Sequence, residues 1–364
     1  WRFPARGRSL ERLVKAQIFM GIAAAMGVFG AEWLFRIQHA SHSYLIRSPE
    51  SWGLHAIFQM GMCVVLMCPA SFFAGMTLPL LTTVLVRSKG KNAYLGHVYG
   101  WNTVGAILGA CVAGLVLLPL IGVTRVVAVG AFLDVFLGAL ILWKAPSFKF
   151  SRSMVVGASV IALGAMFYVL PNDILVSGGF RFQRVGARLG GDSLWVRHGR
   201  TATVSVVQFG SQRVIETNGK PDGTVDMNTS RNNVVHNDEL TQAMCAWLPM
   251  AYHQAPNNVA MIGMGTGMSA HFLMADKRIA KLDLIEIEPE MIRLANLMRP
   301  KNQRAYLDPR VNVHIEDART FLARSGKKYD VIISEPSNPW VSGVSSLFTT
   351  EFYRDMSTHL TEKG

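Results

Sequence analysis

Four cysteines in 364 residues leave neither a disulfide framework nor a zinc spacing: Cys63, Cys68 and Cys111 lie inside apolar runs and Cys245 stands alone. They read as packing residues. Charge is also scarce. Charged residues make up 16% of the chain against 50% hydrophobic, and mean hydropathy is +0.25, which is too apolar for one ordinary soluble domain. Acid is the scarcer sign, with 24 Asp and Glu against 36 Lys and Arg and a net charge of +12. That excess does not point to nucleic acid, because many of the basic residues flank apolar runs, where they anchor helices against phospholipid headgroups.

What the chain has in quantity is apolar length. Residues 16–35, 55–86, 97–121, 126–143 and 153–170 are apolar runs, each near or above the roughly 18 to 20 residues that cross a hydrocarbon core, so about five transmembrane helices are expected over residues 1–171. The opening WRFPARGRSLERLVK followed by an apolar run imitates a signal peptide, but further runs follow and it reads as a span. Pro69 and Pro79 make the second run either one kinked helix or two shorter pieces. Gly105 and Gly109, extended by Gly100 and Gly114, form a small-residue face that predicts close helix packing. Asp134 near the middle of its run needs a polar partner, for which Tyr99, Asn102 and Thr103 are candidates, and Glu32 is expected to pair with Arg36 one turn on.

After Pro171 charges return. Residues 172–225 alternate apolar and polar positions around Gly199 and Gly210 and read as a β-meander, with Thr203 to Phe209 and Gln212 to Glu216 as the clearest hairpin. The polar stretch PDGTVDMNTSRNNVVHNDE reads as a loop that could lie over a site, before helical periodicity resumes in LTQAMCAWLPMAYH.

From Asn258 the pattern changes to strand, glycine turn, helix and acid-tipped strand. The strands are VAMIG, LDLIEI, VNVHIE and YDVIIS, with helices near 267–275, 289–298, 318–325 and 351–360. Such alternation over residues 226–364 predicts a Rossmann-like, methyltransferase-type parallel sheet with helices on both faces, and ligands beyond the carboxyl ends of its strands. Gly263, Gly265 and Gly267 let backbone approach a nucleoside, and Glu286, about 20 residues on, stands where an acid accepts both ribose hydroxyls. Asp317 follows the third strand and Glu335 the fourth, so four strand ends converge on one rim. The plain structural alternatives are a turn cap for Glu335, a helix N-cap for Asp317 and a helix-terminal acid for Glu288. The chain opens on Trp1 and stops at HLTEKG, where the next strand of an alternating fold is expected, so a fragment lacking C-terminal strands is expected.

The stretches VAMIGMGTG, LIEIEPEMI, DPRVNVHIEDARTFL, YDVIISEPSNPW and the earlier NGKPDG and DELTQAMCAWLPM resemble polyamine (spermidine) synthases. AGMTLPLL and YGWNTVGAILGACVAGLVLLPLIG resemble the major-facilitator-like helices that precede the synthase domain in membrane-fused members. The resemblance implies a multi-pass helical membrane region joined to the synthase fold, and aminopropyl transfer from decarboxylated S-adenosylmethionine to a small amine, a polyamine among the candidates, without a metal. It assigns Gly263, Gly265 and Gly267 to the nucleoside donor, Glu286 to its ribose, Asp317 to the adenine amine and Glu335 to accepting the amine's proton. Asn338, Asp222 and Asp238 are the candidate acceptor contacts, and Trp340 is expected to pack over the site. A second copy of the chain and the lipid bilayer are the remaining expected partners.

Two departures bear on activity. Soluble synthases carry Asp-Ser-Ser-Asp after the fourth strand, whereas Glu335-Pro336-Ser337-Asn338 here replaces the second acid by an amide, and Thr266 stands where they carry an acid in the glycine turn. Both remove negative charge from a site for cations. Methyl transfer from intact S-adenosylmethionine, and a transporter or sensor that binds without turnover, therefore stay as alternatives. Sidedness is divided in the same way. The basic clusters Arg2, Arg6, Arg8, Arg12 and Lys15, then Arg87, Lys89 and Lys91, then Lys144, Lys149 and Arg152 share one side if there are five spans, which by the positive-inside rule puts the domain after Pro171 outside. Nucleoside donors are made in the cytoplasm, and a cytoplasmic domain of a cell or inner-membrane protein is the expectation.

Overall fold

A computed structural model describes residues 8–41, 50–89, 93–144, 152–168, 170, 174, 176, 192–228, 237–338 and 343–364. Pro171, Trp340, Arg2, Arg6, Lys91 and Lys149 lie outside them. The chain divides into two compact units, Trp1–Ala187 and Arg188–Gly364.

The first unit is helical: α1 (Arg8–Ser41), α2 (Trp52–Lys89), α3 (Ala93–Cys111), α4 (Leu118–Lys144) and α5 (Arg152–Phe167). By length and composition three helices suffice to cross a membrane, Ser9–Gln38, Trp52–Leu85 and Leu95–Lys144, with Ser153–Phe167 shorter. The five expected runs fall on α1 to α5, with α3 and α4 together making up the single long stretch Leu95–Lys144. Helices α3 and α4 are joined by a π-helical segment, Val112–Leu117, and the two expected runs are separated only by a kink at Gly122, whose φ of 77° and ψ of 166° leave the helical region. Both Pro69 and Pro79 sit inside a continuous α2, which settles that run as one helix.

Among the described residues nothing packs against the small-residue face of α3. No heavy atom lies within 4 Å of where a Cβ on Gly105 or Gly109 would stand among the described residues, whereas on Gly21 it would stand 2.5 Å from the Ala131 carbonyl oxygen. Close approach therefore falls between α1 and α4, where Ala25, Ala128 and Ala131 are also buried. Thr103, a candidate partner for Asp134, instead donates to the Tyr99 carbonyl at 2.9 Å. Glu32 does pair with Arg36, at 2.6 Å, and also accepts from the Tyr168 hydroxyl.

The second unit begins with an antiparallel meander, β1 (Asp192–His198), β2 (Thr203–Phe209), β3 (Gln212–Thr217) and β4 (Lys220–Asp226), in that spatial order. The expected hairpin is β2–β3, turning at Gly210. The expected loop over the site is corrected in its first part: Lys220 to Asp226 pair with β3 as a fourth strand, and only 229–236 lies outside the described residues. Helix α6 (Asn237–Tyr252) follows.

Then come β5 (Asn258–Ile262), α7 (Met268–Leu273), β6 (Lys281–Glu286), α8 (Pro289–Ala295), α9 (Arg304–Leu307), β7 (Val311–Ile315), α10 (Ala318–Ser325), β8 (Val331–Ser334) and α11 (Thr350–Ser357). The four strands form a parallel sheet ordered β7-β6-β5-β8. Strand β5 is apolar from Val259 to Ile262, where both faces are covered. Val259 and Met261 join a core with α7, α8 and the meander residues Val204, Val206, Ile215 and Val225, while Ala260 and Ile262 join a second core with α10 and α11. Inside the second layer Asp283 accepts from His314, Lys327 and Tyr329, tying β6 to β7 and to the approach to β8.

Candidate functional site

The parallel sheet runs outward from β5 in both directions, to β6 and β7 on one side and to β8 on the other. A reversal of this kind opens a crevice at the carboxyl ends of the two diverging strands. Both lips of that crevice are residues singled out by the sequence: the turn from Gly263 to Gly267 follows β5 and Glu335 follows β8. Backbone pairing continues past the strands. Glu335 N–H donates to the Ile262 carbonyl at 3.0 Å, and Gly263 N–H donates to the Ile285 carbonyl at 2.9 Å. At Gly263, with φ of 93°, a Cβ would stand 2.7 Å from the Glu335 carbonyl oxygen, so only glycine lets the two lips meet. Gly265 has open space where a side chain would be, and Gly267 heads α7.

Glu286 ends β6 with only 8% of its surface exposed. Its two carboxylate oxygens accept from Met264 N–H at 2.9 Å and Glu288 N–H at 2.8 Å, fastening the glycine turn to the strand end. Burial pushes this carboxyl above the ordinary 4.5, against the pull of those donors, and the charges of Glu288 and Asp222 add to the rise. Each oxygen retains lone-pair capacity for a ribose hydroxyl.

Glu335 is held by Ser269, whose hydroxyl donates to one carboxylate oxygen at 2.7 Å. Burial raises its pKa above 4.5, the Ser269 bond opposes the shift, and the negative charge of Asp238 reinforces it. A carboxyl raised by burial in a crevice is suited to proton transfer.

Thr266 is turned into the protein and only 2% exposed. Its hydroxyl donates to the Gln242 side-chain oxygen and accepts from Met268 N–H at 3.2 Å, while Asn302 donates to the Thr266 carbonyl at 2.6 Å. The Thr266 side chain packs the turn from inside.

The expected acceptor contacts have prior commitments. Asp222 on β4 lies 2.7 Å from the Lys220 ammonium and accepts from the Ser337 hydroxyl at 2.8 Å. Asp238 accepts from Thr224 N–H at 2.5 Å. Asn338 is half-buried beside Ser337 in the chain. Asp317 is exposed and caps α10, accepting from Thr320 N–H at 2.9 Å, so its capping role is realised in the geometry. Glu288 is a helix N-cap, as read, and in addition accepts from Thr201 N–H and hydroxyl at 2.8 Å each, binding the β1–β2 turn. Trp340 lies outside the described residues.

Five residues of this site escaped the sequence reading: Ser269, Gln242, Asn302, Lys220 and Ser337. Two had a usable signal. Ser269 falls in the first turn of the helix after the last glycine, and Lys220 stands two residues before Asp222.

Residues 239–364 match the family model described as spermine/spermidine synthase domain. The chain is 34% identical over 113 residues to polyamine aminopropyltransferase 2 of Bacillus cereus, covering 30% of this chain and 31% of that protein. It is 31% identical over 137 residues to polyamine aminopropyltransferase of Buchnera aphidicola, covering 37% of this chain and 46% of the relative. The chain thus spans less than half the length of these curated relatives. The crystal structure of spermidine synthase from Thermotoga maritima aligns at a TM-score of 0.40 and 21% identity, over 47% of this chain and 54% of that one.

Proposed function

We propose that this chain is a membrane-embedded aminopropyltransferase whose second unit takes decarboxylated S-adenosylmethionine and an amine. The observation that carries the reading is the contact of Glu335 with the glycine turn: a carboxyl raised by burial stands beside a nucleoside-type crevice, within the stretch that matches the synthase family model. Glu286 holds the ribose hydroxyls and Asp317 the adenine amine, with Gly265 giving the donor room.

In the transfer the amine's nitrogen lone pair attacks the aminopropyl carbon attached to the sulfonium. A C–N bond forms, the C–S bond breaks with its electron pair going to sulfur, and methylthioadenosine leaves as a neutral thioether. The proton shed by the new ammonium passes to the Glu335 carboxylate and on to water. A base so placed contributes about 10²- to 10⁴-fold.

The helical unit is proposed to lie in a lipid bilayer, supported by three helices of sufficient length and apolarity. The kink at Gly122 gives Leu95–Lys144, 50 residues long, a bend at which it crosses twice, since about 20 residues suffice for one crossing. The second unit is assigned to the cytoplasmic side, where sulfonium nucleosides are made, and the assembly to a homodimer. Product analysis with the full chain, offering decarboxylated and intact S-adenosylmethionine against a panel of amines, tests the reading. Aminopropylated amine supports it; methylated amine from the intact donor overturns it.

A further inference from the structure

The acceptor side of the crevice holds a contact that the chemistry of transfer does not use. Lys220 Nζ lies 2.7 Å from an Asp222 carboxylate oxygen and donates to the Ser337 hydroxyl at 2.7 Å; that hydroxyl in turn donates to the same Asp222 oxygen at 2.8 Å. The Lys220 and Asp222 side chains are only 11% and 10% exposed, so the pair is shielded from solvent and salt. This clasp joins β4 to the chain two residues beyond Glu335.

Its electrostatic consequence is specific. An amine with two ammonium groups needs one carboxylate at the reacting nitrogen and a second for its far end. Of the acids near Glu335, Asp222 is ion-paired with Lys220, and Asp238 has one carboxylate oxygen committed to Thr224 N–H. Position 338 is an amide. Thr266 supplies no charge and faces inward.

We infer that Lys220 is a specificity-determining residue that cancels the anchor for a second ammonium, so that the acceptor is an amine carrying a single positive charge with a neutral remainder, not a diamine. This rests on the aminopropyl-transfer reading of the same site, and the bonds made and broken are those given above. Lys220 acts through Asp222 and Ser337 and touches no reacting atom.

The test compares n-butylamine with 1,4-diaminobutane, which differ by the far ammonium, on the full chain in detergent. Binding of each amine is measured by calorimetry in saturating methylthioadenosine, and turnover with decarboxylated S-adenosylmethionine in parallel. The wild-type protein is expected to bind the diamine no more tightly than the monoamine. Lys220→Met, which frees Asp222, should shift the ratio of affinities toward the diamine by about tenfold or more, the scale of a charge-assisted hydrogen bond, and Lys220→Arg should keep the wild-type ratio. Thermal unfolding establishes that each variant is folded, and a loss of fold leaves the ratio unaltered as a readout in the wild type and in the arginine variant. A tenfold wild-type preference for the diamine, a ratio unmoved by Lys220→Met in folded protein, or no binding of either amine with methylthioadenosine bound would each overturn the inference. Absence of turnover with both amines, while the binding ratio stands as expected, would instead overturn the transfer reading alone.

Discussion

The backbone of Glu335 and the α-carbon of Gly263 occupy adjoining space, so closely that a methyl group on Gly263 would stand 2.7 Å from the Glu335 carbonyl oxygen. The glycine turn therefore sets the backbone that carries Glu335, and Ser269 holds its carboxyl. Gly263→Ala should destabilise the second unit by about 1 to 3 kcal/mol through a positive φ and a steric overlap, and should depress turnover beyond what unfolding accounts for. Thermal unfolding and rate measurements on one preparation check this; a variant with unchanged turnover would contradict it.

Glu335→Gln keeps the shape of the side chain and removes its ability to take a proton. Turnover should fall by about 10²- to 10⁴-fold with nucleoside affinity little changed. Equal losses in both would make Glu335 a binding group.

The pH dependence has a definite sign. Burial raises the folded-state pKa of Glu335 above 4.5, so its proton is held to higher pH than in the unfolded chain. Its contribution to stability is present below 4.5 and is lost as pH rises through the raised value. The base form appears over the same interval, so kcat/KM should climb with pH on a limb displaced above 4.5, and that limb should vanish in Glu335→Gln. A pH–rate profile measured on both proteins decides this.

Glu286→Ala should weaken methylthioadenosine binding by about 1.5 to 3 kcal/mol, the range for hydrogen bonds to a charged group. Because the carboxylate also holds Met264 and Glu288 N–H groups, the turn loosens as well. Calorimetry is the check, and unchanged affinity in a folded variant would remove Glu286 from the nucleoside site.

The second unit was legible where one physical cause dominated. The apolar runs of β5, β6 and β8 stand out as strands, and an acid ends β6 and another directly follows β8, so the strand-end positions of Glu286 and Glu335 could be read from sequence. Strand β4 was not legible, because Lys220, Pro221, Asp222 and Gly223 have the composition of a turn; its burial falls on Gly223 to Val225 alone. With β4 taken for a loop, the pairing of Asp222 with Lys220 went unread. Asp317 carried two readings that spacing cannot separate, since a strand-end acid is also the residue before the next helix. In the helical unit the glycine face of α3 suggested a neighbour, yet among the described residues the close approach is between α1 and α4, at Gly21, Ala25 and Gly138, small residues that were not singled out in the sequence.

Sidedness is open to a direct probe at Ser211, an exposed residue in the turn between β2 and β3. In a cysteine-depleted full-length protein carrying Ser211→Cys, an impermeant thiol reagent should label only after lysis. Labelling of intact cells would put the second unit outside and favour a binding role without turnover.

The most direct test of the account is the product formed by the full chain in detergent from decarboxylated S-adenosylmethionine and an amine. Methylthioadenosine and aminopropylated amine are expected in equal amounts, both formed about 10²- to 10⁴-fold more slowly by Glu335→Gln. Folded protein that binds methylthioadenosine but yields neither product with any amine offered would contradict it.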